Sequence, residues 1–259
     1  MLTPMFRFET GQASDVGRCR SVNEDGFLSS PESGFWAVAD GMGGHAAGDF
    51  ASQAIVRELA SIGRPAGMAD LRARVLERLA RANTRILDQS DRLSCGVIGS
   101  TIVALLVHGP EFTCLWAGDS RAYRLRGSAL RPLTRDHTEA RELIDTGTIT
   151  EEEARAWPGR NIITRAIGVT ETPDCDRMEG EIAVGDVFLL CSDGLTEHLD
   201  DSEIAWHLAR PIAVQAICEA LIADTLERGA RDNVTVVVTR CVGRMPGTPH
   251  PPMTKDLFP

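Results

Sequence analysis

The chain has 259 residues, of which 43% are hydrophobic and 25% are charged, and its net charge at pH 7 is −10. This length and composition exclude disorder over most of the chain, because such a chain can bury a large core. The acidic balance argues against a broad surface for nucleic acid or anionic membrane, since both need clustered lysine and arginine.

Short apolar or alternating segments predict β-strands, and several are bounded by glycine, aspartate or proline. In chain order they are residues 35–39, 101–107, 112–117, 122–126, 187–191 and 234–239. Residues 108–111, between the second and third segments, are a predicted hairpin loop. Short turns between successive strands favour antiparallel sheets with helices packed outside over a doubly wound parallel sheet.

Three segments have the spacing of apolar residues that is typical of helices: 50–60, 71–87 and 212–226. Asp70 is the predicted N-cap of the second helix. Residues 243–259 contain five prolines and no hydrophobic period. They predict a short flexible tail after a single domain that spans residues 1–242.

The seven cysteines are scattered and form no C-x-x-C pattern, which indicates reduced thiols in a reducing compartment. The first eight residues lack the pattern of a secretory signal. The longest apolar run, residues 102–107, is too short to cross a bilayer. We therefore expect a cytoplasmic protein with no membrane partner.

Acidic residues stand at the ends of the predicted strands in five short segments: 23–26, 39–44, 117–121, 191–194 and 231–233. A single Asp-Gly pair is usually only a turn. Here, however, buried strands run directly into Asp40 and Asp193, which places these acids at the rim of a core. If several such strand ends converge, the carboxylates lie close together.

Converging carboxylates need a counter-charge. Two of them about 4 Å apart repel each other by roughly 4 kcal/mol at an effective dielectric constant near 20. Divalent cations would remove this repulsion, and oxygen ligands select Mg²⁺ or Mn²⁺ over Zn²⁺. No histidine or cysteine has a zinc-type spacing, which supports that choice.

Eight motifs together resemble the successive motifs of the protein phosphatase 2C family, in the family's order, over about residues 11–240. They are RSVNED at 20–25, VADGMGG at 38–44, GST at 99–101, GDSR at 118–121, LTRDH at 133–137, ITRAIG at 163–168, SDGL at 192–195 and RDNVT at 231–235. The compact length resembles the bacterial members. The resemblance therefore implies that the chain is a bacterial metal-dependent Ser/Thr protein phosphatase of this family.

The resemblance implies an α+β fold with a central antiparallel β-sandwich, flanked on both faces by pairs of antiparallel helices in four αββα layers. It also implies a centre of two Mn²⁺ or Mg²⁺ ions at one end of the sandwich, with a third ion in bacterial members. In this resemblance Asp40 bridges two ions. Asp193 and Asp232 complete the first ion's site, and the Gly41 carbonyl, with Glu24 and Asp25 directly or through water, serves the second. Asp119 holds the third ion together with Asp193.

Arg20 matches the family's phosphate-binding arginine, and a regular strand would place it on the same face as Glu24. Two metals can share a water, lower its pKa and so give a hydroxide that attacks phosphorus. The implied reaction is hydrolysis of phosphoserine and phosphothreonine in proteins. Met42 stands where many eukaryotic members have a histidine proposed as the general acid, and His45 is a less favoured substitute.

Residues 139–160 match the flap beside the active site of bacterial members, and we weigh a role in substrate selection against a plain pair of surface helices. The expected partners are phosphorylated proteins and a cognate Ser/Thr protein kinase. Residues 134–137 are expected to form a turn that leads into a helix, and Arg121 to orient Asp119 or a loop.

Three other functions stay open. A two-metal phosphodiesterase would explain the acids but not the ordered motifs. A pseudophosphatase would bind phosphoproteins without cleaving them, although all the expected acids and Arg20 are present. A phosphatase dedicated to one transcription regulator would share the whole site and differ only in its substrate.

Overall fold

The computed structural model describes residues 6–43, 47–93 and 96–243. These residues form two antiparallel sheets. The first has the strand order β1 (Phe6–Asp15), β11 (Val234–Gly243), β10 (Val187–Cys191), β7 (Arg121–Arg126) and β8 (Ala129–Pro132). The second has the order β2 (Asp25–Ser30), β3 (Phe35–Met42), β5 (Ile102–His108), β6 (Glu111–Ala117) and β9 (Asp176–Glu181), and β4 (Gly99–Ser100) pairs with β3.

Helices pack on the outer faces of both sheets. The second sheet is covered by α1 (Ala47–Ala60) and α2 (Met68–Leu93), and the first by α6 (Asp201–Leu208) and α7 (Val214–Glu227). Shorter helices are α3 (Glu139–Asp145), α4 (Glu151–Arg155) and α5 (Asp193–Thr196). This arrangement confirms the predicted α+β sandwich with helices outside.

The alternation of side chains along each strand builds the layers. In β3, Trp36 and Val38 belong to the apolar cluster between the two sheets, together with Phe188 of β10. Ala37 and Ala39, the residues between and after them, pack instead against α1 and α2. Both faces of such a strand are buried, which explains why residues 35–39 are apolar without interruption.

The six predicted strands and three predicted helices are present with shifted ends, whereas β1, β2, β4, β8, β9, α5 and α6 were not predicted. The second helix begins at Met68, so Asp70 is inside its first turn and the prediction of an N-cap is wrong. The Asp70 carboxylate instead accepts hydrogen bonds from the backbone N–H of Ala66 and from Arg74 Nε, each at 2.8 Å. A carboxylate in the first turn still interacts favourably with the helix dipole.

The boundary of the predicted tail shifts by one residue, because Gly243 is the last residue of β11 and pairs with Phe6. Residues 244–259, the rest of that predicted tail, lie outside the described residues. Residues 139–160, the predicted flap, contain α3 and α4. Among the helices described, none has both the length and the apolarity that a membrane span requires.

Candidate active site

Two acids meet at one end of the second sheet. Asp25 begins β2 and is the register partner of Asp40 near the end of β3. Directly opposed residues of antiparallel strands have Cβ atoms about 5 Å apart. Thr101 fixes this strand end, because its Oγ1 accepts the Asp40 N–H at 3.1 Å and its own N–H donates to the Asp40 carbonyl at 2.8 Å.

Three further acids lie at one end of the first sheet. Asp193 follows β10, Asp232 precedes β11 and Asp119 precedes β7. Cys191, the last residue of β10, pairs with Val236 of β11 on one side and with Arg121 of β7 on the other. Because β10 is antiparallel to both β11 and β7, the end of β10 lies beside the starts of the other two strands, and the three acids come to the same end of the sheet.

Ser192 joins the two sheet ends. Its Oγ donates to Asp25 Oδ2 at 2.8 Å and accepts the Thr235 N–H at 2.9 Å, and the serine is completely buried. The acids of both sheets therefore face one common region. No local sequence pattern reveals the contact between Ser192 and Asp25, which are 167 positions apart in the chain.

Burial and mutual repulsion both disfavour the ionised forms of these carboxyl groups. Burial raises the pKa of Asp25 to about 6 and that of Asp119 to about 7. Protein surrounds Asp40 and Asp193 closely although each keeps some contact with solvent, and this burial raises the pKa of both carboxyls well above the ordinary value. The charges of neighbouring aspartates, including Asp232, raise these two pKa values further.

The residues fit divalent cations. Among the described residues, none donates a hydrogen bond to the buried Oδ1 atoms of Asp25, Asp119 or Asp193. Buried oxygens normally have partners, so these atoms point to a missing ligand. No three acidic, histidine or cysteine side chains of the described ranges are arranged to hold an ion by themselves. Mg²⁺ does not need three, since it keeps several waters and takes one or two carboxylates.

Glu24 and Gly41 lie between the acids and the start of α1. The Glu24 carbonyl accepts the Gly41 N–H at 3.2 Å, and Glu24 Oε1 accepts the Gly48 N–H at 3.2 Å. A side chain at Gly41 would overlap the carbonyl oxygen of Gly48. The close approach of these two backbones therefore explains why glycine follows Asp40.

Arg20 reaches the acids from a loop, so the shared face with Glu24 that a regular strand would give does not apply. Residues 16–24 contain no strand. Asn233 holds this loop: its Oδ1 accepts the Glu24 N–H at 2.8 Å, and its Nδ2 donates to the carbonyls of Val16 and Val22 at 2.9 Å each. Arg20 Nη2 then lies 2.6 Å from Asp232 Oδ2.

The segment 133–137 braces the Asp119 loop. Asp136 binds Arg121 through both carboxylate oxygens, with the shortest contact 2.6 Å. The His137 N–H donates to the Gly118 carbonyl at 3.0 Å, and the Gly118 N–H donates to His137 Nδ1 at 3.2 Å. Arg121 thus orients a loop, as expected, through Asp136. His45, the other histidine considered, lies outside the described residues.

The model of the protein phosphatase 2C family matches residues 18–232 of this chain. The chain belongs to the protein phosphatase 2C family. The chain is similar to the solved structure of Pseudomonas aeruginosa PppA, described as a key regulatory component of T6SS, with 40% sequence identity and a TM-score of 0.85. The match covers 92% of this chain and all of the PppA chain. These matches confirm the family that the eight motifs predict.

Other phosphatase 2C relatives carry functional names. The serine/threonine phosphatase stp of Listeria monocytogenes is 33% identical over 87% of this chain and 92% of its own length. The serine/threonine protein phosphatase PstP of Mycobacterium tuberculosis is 37% identical, and this chain spans 44% of its length. The PstP catalytic domain, solved with two manganese ions, matches this chain with 36% sequence identity and a TM-score of 0.83. The match covers 92% of this chain and 99% of the PstP domain.

The phosphatase 2C site contains one further acid that the motifs did not single out. Glu197 follows Asp193 by four residues, at the end of α5, and its charge raises the pKa of both Asp119 and Asp193 after the effect of burial. Glu197 Oε1 accepts a hydrogen bond from Asn161 Nδ2 at 2.9 Å. The i, i+4 spacing was the available signal, since it puts two residues on one helix face.

Proposed function

We propose that this chain is a Mn²⁺- or Mg²⁺-dependent phosphatase that hydrolyses phosphoserine and phosphothreonine in proteins. One observation carries the proposal: acids from the ends of two sheets face a common region, with an arginine beside them and with buried oxygens that have no hydrogen-bond partner in the described part of the chain. The names of the relatives and the manganese ions of PstP support it. Residues 1–242 would act as one catalytic domain.

The ligand roles follow from position in the fold. Asp40 would bridge two cations, since the charges of four other aspartates act on it. Asp193 and Asp232 would complete one ion's ligands, and the Gly41 carbonyl, Glu24 and Asp25 would serve the other, directly or through water. Asp119 would hold a third ion with Asp193. Bound there, such ions would supply an activated water for attack on phosphorus.

The remaining chemistry belongs to the chain's own groups. The planar guanidinium of Arg20 can bind two phosphoryl oxygens together and stabilise charge on them. Ser192 orients the Asp25 carboxylate through its 2.8 Å hydrogen bond. Asn233 holds the loop that presents Arg20. Because Met42 cannot donate a proton, the leaving oxygen must take its proton from water or another group.

The decisive experiment compares Asp40→Asn with the control Asp88→Asn, an exposed aspartate of α2, in Mn²⁺. We expect the wild type and Asp88→Asn to hydrolyse p-nitrophenyl phosphate and a phosphothreonine peptide. Asp40→Asn should lose manganese binding in calorimetry and activity together. Full activity of Asp40→Asn would support a different site, and a preference for bis-p-nitrophenyl phosphate would support a phosphodiesterase.

We further propose that the cellular role is to oppose a Ser/Thr protein kinase in the cytoplasm, with the flap at 139–160 helping to select substrates. Phosphoproteomics of cells that carry Asp193→Asn tests this. Accumulation of phosphosites on several proteins that share one kinase would support it. Accumulation on a single transcription regulator would instead support a dedicated phosphatase.

A further inference from the structure

Met42 projects toward the same side of β3 as Asp40. The two residues are separated by one position, and alternate residues of a strand share a face. Both are half-buried at the end of the strand, whereas Gly41 between them is buried. The side chain of Met42 therefore lies next along the same strand face from Asp40, the central aspartate of the proposed site.

One exposed valine, Val169, lies on the same glycine as Met42, and a second, Val97, lies two positions before that glycine in the chain. A Cβ placed on Gly99, the register partner of Met42, would lie 3.0 Å from Val169 Cγ2 and 3.1 Å from Met42 Cε. The side chains of Met42 and Val169 therefore both lie against this glycine. Val97 precedes the same stretch of chain, and the side chains of Val169 and Val97 are 43% and 66% exposed.

The loop that carries Val169 is held rigidly. Asn83 of α2, which is almost completely buried, accepts the Gly168 N–H at 2.6 Å and donates to the carbonyls of Thr170 and Glu171 at 2.9 and 3.2 Å. Ser100 and Ile167 exchange two backbone hydrogen bonds of 2.9 Å. An exposed valine on so firmly fixed a loop is a preformed contact surface, because little conformational entropy is lost when a ligand binds it.

We propose that Met42, Val97 and Val169, here called the apolar lip, contact an apolar side chain of the substrate next to its phosphorylated residue. The inference rests on the proposed function and adds a substrate preference to it. The occupant is the substrate chain, because Met42 shares a strand face with Asp40, beside which the phosphorylated residue would bind. Methionine suits such a surface, since its flexible, polarisable side chain adapts to different partners.

The test uses phosphothreonine peptides with valine or serine at the positions before and after the phosphorylated residue, assayed in Mn²⁺. We expect valine at one of these positions to raise kcat/KM by roughly three- to tenfold through a lower KM, as a partly exposed apolar contact would. Val169→Ser and Val97→Ser should reduce this preference. Val184→Ser, an exposed valine between β9 and β10, is the matched control and should retain it.

Equal rates for all peptides in the wild type would overturn the apolar lip and leave the proposed phosphatase activity standing. A preference that survives both Val169→Ser and Val97→Ser would also overturn it. So would a wild-type dimer in sedimentation that Val169→Ser abolishes, because the lip would then be an interface between two copies. If no peptide is hydrolysed, the proposed function itself fails.

Discussion

Arg20 and Asp232 form an ion pair with a 2.6 Å contact between Nη2 and Oδ2, although 212 positions separate them in the chain. The hydrogen bond with Asp232 raises the pKa of Arg20, and the nearby charges of Glu24 and Asp40 add to the rise. The guanidinium is therefore held at the edge of the acidic region in a charged state. A phosphate bound there would meet a cation that is already in place.

Arg20→Ala should lower kcat/KM for p-nitrophenyl phosphate by about 10- to 100-fold, because a charge-assisted bond to phosphate contributes about 1.5–3 kcal/mol. The matched control is Arg18→Ala, an exposed arginine two positions earlier in the same loop. Steady-state kinetics in Mn²⁺ measures both variants. An equal loss in the two variants would assign the effect to overall charge rather than to a phosphate contact.

Asn233→Ala should lower the free energy of unfolding by about 2–4 kcal/mol. The substitution removes the three hydrogen bonds of a buried side chain. The Glu24 N–H and the carbonyls of Val16 and Val22 each lose this hydrogen-bond partner. Because these bonds hold the Arg20 loop, KM for phosphate esters should also rise. Urea unfolding measures the first effect and kinetics the second.

Asn161→Ala is the control for Asn233→Ala, since Asn161 is exposed and its side chain donates a hydrogen bond to Glu197. It should change the free energy of unfolding by less than about 1 kcal/mol. If the two variants were equally stable, Asn233 would not be the anchor of the loop.

The sequence predicts those parts of the site that depend on strand patterns. Residues 187–191 are all buried, so an uninterrupted apolar run marks the strand and places Asp193 just past its end. The resemblance to phosphatase 2C supplies the roles of the acids. The Arg20 loop could not be placed from the sequence, because residues 16–24 have no regular period and are held by the distant Asn233.

Contacts between distant segments escape such prediction. Nothing near Ser192 in the chain indicates that its hydroxyl binds Asp25, and nothing near Asp136 indicates its pairing with Arg121. These contacts depend on which strands become neighbours in the folded sheets. The same holds for the apolar lip, whose Met42 and Val169 belong to segments more than a hundred residues apart.

The stability of the protein in EDTA should fall as the pH rises. The pKa of Asp119 is about 7 in the folded chain and about 3.9 in an unfolded one, so the folded state binds the proton more tightly. The contribution of Asp119 to the free energy of unfolding is then greatest below about pH 4 and decreases as the pH rises toward 7, by roughly 2–4 kcal/mol. Asp25, with a pKa of about 6, changes stability in the same direction.

Thermal unfolding at several pH values, in EDTA and in Mn²⁺, checks this expectation. Manganese should raise the melting temperature more at pH 8 than at pH 5, because bound cations replace the protons as counter-charge. Asp119→Asn should flatten the pH dependence in EDTA. A melting temperature in EDTA that increases from pH 5 to pH 8 would contradict the assigned charges.

Ser192→Ala should weaken manganese binding about tenfold and lower the free energy of unfolding by about 1–3 kcal/mol, as removal of one partner from a buried hydrogen bond does. The hydroxyl serves both the Asp25 carboxylate and the Thr235 N–H, so its loss leaves each without this contact. Calorimetry and urea unfolding measure the two effects. Ser52→Ala is the control, since Ser52 is equally buried and bonds to the Asp49 carbonyl of its own helix. Wild-type manganese affinity in Ser192→Ala would show that Asp25 needs no such support.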